Sequence, residues 1–182
     1  MHRIFVAIDL SKELQKKVLT FQKSLSQKIF TSASGSDVRW LSGKNLHITL
    51  IPPWYENNPT EIIAKLKTIR GQFSAFELEF TKITYGPNPN SPRLIWASGQ
   101  TPPVIIELQK NLQKILNIST ENRPFLLHFT LARFRQEDFK NFPIKTLNEK
   151  ISWHQNVSSI VLMQSHLSRT GADYEILEKI KL

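Results

Sequence analysis

The chain of 182 residues contains no cysteine. That excludes a disulfide frame, cysteine-ligated zinc and a thiol nucleophile, and it makes the cytoplasm the expected location. Long apolar runs are missing too. No stretch approaches the roughly 18 residues that span a bilayer, so no membrane partner is expected. The opening segment from Met1 to Leu10 is apolar but short, meets Asp9, and has no small-residue cleavage site after it. It reads as a strand rather than a signal peptide. No glycine-rich phosphate loop is present, which removes nucleotide hydrolysis of the P-loop type. Acids are the scarcer charge: 15 Asp and Glu stand against 24 Lys and Arg, a net charge of +9. Such an excess draws polyanions to the surface and speeds their capture.

What is present is an ordinary globular composition, 40% hydrophobic and 21% charged, long enough for one domain or two small lobes sharing a core. Arg3 to Leu10 reads as a buried strand. Ser11 caps a helix to about Lys28, with Leu14, Val18, Phe21, Leu25 and Ile29 at helical spacing. A small-residue loop at 31–37 leads to Val38-Arg39-Trp40 and a turn at Ser42-Gly43-Lys44. Asn58 and Pro59 open a second helix, with Glu61 placed to complete a capping box. Phe76, Leu78 and Phe80 alternate with glutamates as a half-buried strand. The loop Gly86 to Pro92 is the expected lobe boundary. Beyond it the order recurs: a strand at Arg93 to Ala97, a helix opened by Pro102-Pro103, and a polar loop from Asn117 to Arg123. A polar linker after Phe134, a strand at 157–165, a turn at Gly171 and a last strand from Tyr174 complete the reading.

One phrase appears at corresponding points of both halves: His47-Ile48-Thr49-Leu50 and His128-Phe129-Thr130-Leu131. Side chains alternate faces along a strand, so each copy sets a histidine and a threonine on one face and two apolar residues on the other. The expected fold is α+β: one domain over 1–182 with an internal repeat at roughly 3–85 and 93–182. Its two similar, interleaved lobes lie about a pseudo-two-fold axis, with antiparallel sheets lining a central cleft and helices outside.

A single His-x-Thr is commonly an interior histidine bonded to its neighbouring threonine. Two copies facing one cleft point instead to paired acid and base. In-line displacement at phosphorus needs a proton taken from the attacking oxygen and another given to the leaving oxygen, on opposite sides. Threonine hydroxyls suit the non-bridging oxygens as charge builds. With the positive charge, this favours a phosphate-bearing substrate, RNA first. The rival use of two histidines is a metal site, but no acid or thiol flanks either phrase closely; Glu56 and Glu137 lie past the expected strand ends. No metal and no other cofactor is therefore expected. Arg133 would pair with phosphate bidentately, although strict alternation turns it away from His128. Trp40, Trp54, Tyr55, Phe134 and Trp96 are candidates for stacking a base, Trp54 and Tyr55 foremost, in a loop expected after Pro52 and Pro53 end the strand. His2, His154 and His166 have no second copy and read as surface or packing residues.

These residues resemble the two-histidine phosphoesterase superfamily, specifically the bacterial RNA 2′,3′-cyclic phosphodiesterases, also called 2′-5′ RNA ligases (LigT-like). The likeness rests on Arg3 to Leu10, Val38-Arg39-Trp40, Asn45 to Leu50, Pro92 to Trp96, Arg123-Pro124-Phe125, His128 to Arg133, Gln164 to Leu167 and Gly171 to Glu175. The resemblance implies metal-independent hydrolysis of RNA 2′,3′-cyclic phosphate ends to 2′-phosphates. It gives His47 as proton donor, His128 as proton acceptor and Thr49 and Thr130 as phosphate holders. The same residues run in reverse would make a 2′-5′ RNA ligase, and a site without turnover would be an RNA-end-binding module. The implied partner is an RNA with a cyclic phosphate end, tRNA fragments included, and the expected state is a monomer. One departure stands out: after the first phrase family members continue with an aromatic and a Leu-Gly turn, whereas this chain has Ile51-Pro52-Pro53-Trp54-Tyr55.

Overall fold

The computed structural model describes residues 1–29, 38–119, 124–168 and 171–182. The expected loop at 31–37, the Ile29 side chain, and residues 120–123 of the second polar loop lie outside them. In chain order the elements are β1 (His2–Asp9), α1 (Lys12–Ile29), β2 (Arg39–Trp40), β3 (His47–Glu56), α2 (Pro59–Lys67), β4 (Phe76–Gly86) and β5 (Leu94–Ser98). They continue with α3 (Pro103–Leu116), β6 (His128–Arg133), β7 (Asn148–Val157), β8 (Ser159–Ser168) and β9 (Gly171–Lys181). Short 3₁₀ turns cover Gly43–Asn45 and Gln136–Asn141. The strands form two antiparallel sheets, ordered β3-β1-β8-β9 and β2-β6-β5-β4-β7, the α+β architecture expected.

Local signals set the helix ends. The Ser11 hydroxyl accepts the Leu14 N–H at 3.2 Å, the Asn58 side chain accepts the Glu61 N–H at 3.4 Å, and Asn117 ends α3 in the left-handed region at φ 53°. The capping box is only half made. The Asn58 N–H goes to Glu56 Oε1 at 3.2 Å, while Glu61 pairs with Lys65.

Several expectations change at the level of sheets. The Gly86 to Pro92 loop joins β4 to β5, which pair with Gly86 opposite Leu94, so it is a hairpin inside one sheet and separates no lobes. Each sheet draws strands from both 3–85 and 93–182: β2 and β4 lie beside β5, β6 and β7, while β8 and β9 lie beside β1 and β3. Pro52 and Pro53 do not end β3, which runs on to Glu56. They are tolerated because β3 is an edge strand and its register slips there, so no ladder bond needs their missing N–H. The polar linker after Phe134 holds β7, whose Trp153, Gln155 and Val157 are buried on alternate positions; a buried glutamine hides that period.

The phrases themselves superpose in pattern. In β1 and β3, Asp9 stands opposite His47, Ala7 opposite Thr49 and Val6 opposite Ile51. In β5 and β6, Ser98 stands opposite His128, Trp96 opposite Thr130 and Ile95 opposite Ala132. Both pairs therefore carry a bulge just past the threonine, at Leu50 and at Leu131. A helix glutamine meets each bulge carbonyl: Gln109 of α3 donates to Leu50 O at 3.1 Å, and Gln22 of α1 donates to Leu131 O at 3.0 Å. Gln22, itself buried, also donates to Leu41 O at 3.1 Å. No helix among the described residues is long and apolar enough to cross a membrane.

Candidate functional site

Each histidine opens its strand, and each ring is held the same way. His47 Nδ1 lies 2.8 Å from the Asn45 carbonyl and His128 Nδ1 lies 2.8 Å from the Leu126 carbonyl. A carbonyl only accepts, so Nδ1 carries the proton and Nε2 is left bare in the neutral ring. Aromatic neighbours fix the ring planes: between ring centroids, His47 lies 4.9 Å from Phe5 and 5.1 Å from Tyr174, the latter perpendicular, and His128 lies 4.7 Å from Trp96. The threonines are not the histidines' partners. Among the described residues the hydroxyls of Thr49 and Thr130 make no side-chain hydrogen bond. An interior His–Thr pair is thus excluded.

The two phrases come from different sheets, yet β3 and β6 approach each other. The histidines sense one another: burial holds His47 down to about 4, and the charges of Arg133 and His128 push the same way against the Asn45 carbonyl. His128 is also held below its ordinary value, first by burial and then by Arg133, against the pull of the Leu126 carbonyl. Two imidazoles and one guanidinium therefore share a single electrostatic neighbourhood.

Arg133 reaches this neighbourhood because alternation is broken. The bulge puts Leu131 and Ala132 both on the buried side, and Arg133, opposite Leu94, returns to the face of His128 and Thr130. The matching bulge in β3 buries Leu50 and Ile51 together, so Pro52 holds the position that corresponds to Arg133. The guanidinium is supplied from one side only.

The aromatic candidates separate. Phe134 is buried in the core against Phe142 at 4.7 Å and is no stacking platform, because the strand ends and the chain turns it inward. Trp54 lies in β3, not a loop, and packs against the core opposite Ile4. Tyr55, also in β3, is 60% exposed and stands opposite Arg3. His2, His154 and His166 are surface residues bonded to Gln164, Glu77 and Glu175.

Beside the histidines lies an open cavity of about 360 Å³, lined among others by Arg3, Arg39, Arg133, Trp40, Asn45 and Tyr174. Asn45 joins it to the site: its carbonyl holds His47, and its side chain bonds the Ala172 carbonyl and the Tyr174 N–H, each at 3.2 Å. Arg3, Arg39, Asn45 and Tyr174 were not legible as site residues. The β8–β9 hairpin is brought to the cleft only by tertiary pairing of β8 with β1. The one available signal was that these residues fall within segments carrying the family resemblance. Among the described residues no cluster of three or more His, Asp or Glu side chains stands where a metal ion could be held.

Comparison with known proteins fits this geometry. The chain matches the 2′-5′ RNA ligase superfamily over residues 30–169. A protein of Aeropyrum pernix named RNA 2′,3′-cyclic phosphodiesterase is 31% identical over 81% of this chain and 88% of its own length. One of the same name from Archaeoglobus fulgidus is 26% identical over 96% and 97%. The crystal structure of a Thermus thermophilus protein superposes with a TM-score of 0.76 at 21% identity, covering 99% of this chain and 97% of that one. That of E. coli LigT complexed with 3′-AMP gives 0.73 at 24%, covering 100% and 98%. These two likenesses show the fold. The chain belongs to the 2′-5′ RNA ligase superfamily.

Proposed function

We propose that this protein hydrolyses RNA 2′,3′-cyclic phosphate ends to 2′-phosphates, without a metal, by paired action of His47 and His128. The observation that carries the reading is the matched anchoring of two imidazoles, each with Nδ1 committed to a carbonyl and Nε2 bare. The names of the two archaeal relatives support the substrate class.

In this mechanism His128 Nε2 takes a proton from water as its oxygen bonds to phosphorus. The bond from phosphorus to the 3′ oxygen breaks, and protonated His47 gives its Nε2 proton to that oxygen. The product is a 2′-phosphate and a free 3′ hydroxyl, and exchange with solvent resets both rings. The hydroxyls of Thr49 and Thr130 and the Arg133 guanidinium hold the non-bridging oxygens. Each acid or base contributes about 10²–10⁴ in rate. The assignment of donor to His47 and acceptor to His128 follows the family resemblance; burial holds both rings below their ordinary value in the free cleft. An anionic phosphate in the cleft raises both imidazoles and favours the charged donor.

Ligation through a 2′-5′ bond uses the same residues in reverse. Both phrases come from one chain, so a monomer suffices, and the lack of cysteine suits the cytoplasm. A histidine and a threonine intact in both copies argue against a site that only binds. The test is turnover of a short RNA with a 2′,3′-cyclic end in EDTA, with 2′- and 3′-phosphate products separated. A 2′-phosphate that disappears with His47→Ala and with His128→Ala is expected; undiminished activity in either variant refutes the reading.

A further inference from the structure

The cyclic phosphate is a single negative charge, and Arg133 with the two threonines already meets it. Two further guanidiniums line the neighbouring cavity, and among the described residues no carboxylate balances them. Among the described residues the Arg3 side chain donates only to the Ser165 hydroxyl, at 2.9 Å. Arg39 stands directly opposite Arg133 across the β2–β6 pair, and among the described residues neither has an ion pair. Like charges directly opposite destabilise a sheet, and among the described residues the cavity has no Asp or Glu in its lining to offset three cations. The Arg39 guanidinium lies over Gly171, which sits at φ +122°, in space that a Cβ there would fill. Such a pocket is complementary to a second anion.

A substrate that ends in a cyclic phosphate continues only in the 5′ direction. The second anion available to it is therefore the phosphodiester linking the last two nucleotides. We propose that Arg3 and Arg39 form a subsite for that penultimate phosphodiester, making this protein selective for oligonucleotide ends over free cyclic mononucleotides. The inference rests on the proposed function for the identity of the ligand. Trp40 and Tyr174 flank the same space and give the nucleoside an aromatic surface.

The experiment compares uridine 2′,3′-cyclic phosphate with a diuridine bearing the same end, and with that diuridine carrying a neutral methylphosphonate linkage. Wild-type protein is expected to prefer the charged diuridine in kcat/KM, and the methylphosphonate to lose that preference. In Arg39→Gln or Arg3→Gln the preference falls by about tenfold, the scale of one charged hydrogen bond; Arg39→Lys restores part of it. Binding of the diuridine 2′-phosphate product is measured alongside, and the slope of log K against log salt falls by about 0.7 in Arg39→Gln, one single-strand phosphate contact. A length preference unchanged by both arginine variants overturns the subsite. If no cyclic substrate turns over, the proposed function fails, and the binding arm still decides: length-dependent binding lost in Arg39→Gln supports the subsite, and length-indifferent binding overturns it.

Discussion

Replacing His47 by asparagine removes a titrating ring while keeping a side-chain N–H able to reach the Asn45 carbonyl. In the folded protein His47 is held to about 4 against an ordinary value of 6.5. The neutral ring is the form that folding favours, so its contribution is fully present above pH 6.5 and is lost as pH falls toward 4. At about 1.4 kcal/mol per pK unit, the full shift is about 3 kcal/mol. Most of it has gone by pH 4.5. The assay is urea unfolding of wild type and His47→Asn at pH 7.5 and 4.5, because the paired difference cancels the carboxylates that titrate in both proteins. Wild type should lose about 2–3 kcal/mol relative to the variant between the two pH values. With a urea slope of about 2 kcal/mol per M, the midpoints move apart by more than about 1 M. A stability gap equal at both pH values refutes the claim that the folded cleft keeps this imidazole neutral. Inorganic phosphate should shrink the effect by raising the ring's pKa.

Arg133→Gln removes a cation that lowers both histidines, so the acid limb of the kcat/KM profile should move to higher pH while its plateau falls about 10- to 100-fold. An unmoved limb would separate Arg133 from the histidines. Thr49→Val and Thr130→Val should each cost about 10²-fold in kcat but leave stability within about 1 kcal/mol, since neither hydroxyl has a side-chain partner among the described residues; denaturant melts beside kinetics check both halves. Gln109→Leu orphans the bulge carbonyl of Leu50 and should destabilise by about 1–3 kcal/mol. Gln22→Leu should cost less at its own bulge, because Leu131 O keeps the Leu41 N–H at 2.8 Å; calorimetry on the two variants gives the order.

The repeated His-x-Thr-Leu phrase, the amphipathic spacing of the helices and their caps at Ser11 and Asn58 were determined by sequence alone. Each depends on residues within a few positions of one another, where backbone geometry is nearly the whole constraint. Trp96 was among the aromatics expected beside the site, but its packing on the His128 ring and the burial of Phe134 were not legible, because both depend on which strands become neighbours. The bulges decided most. Strict alternation turns Arg133 away from His128, and one extra residue at Leu131, with its carbonyl held by a glutamine more than a hundred positions earlier, turns it back. Arg3, Arg39 and Tyr174 reached the cleft only when β1, β2 and the β8–β9 hairpin closed around it. Sequence set which chemistry the two phrases could carry. Long-range strand pairing set which charges stand beside it, because the free energy of that pairing is distributed over two sheets rather than written in any one segment.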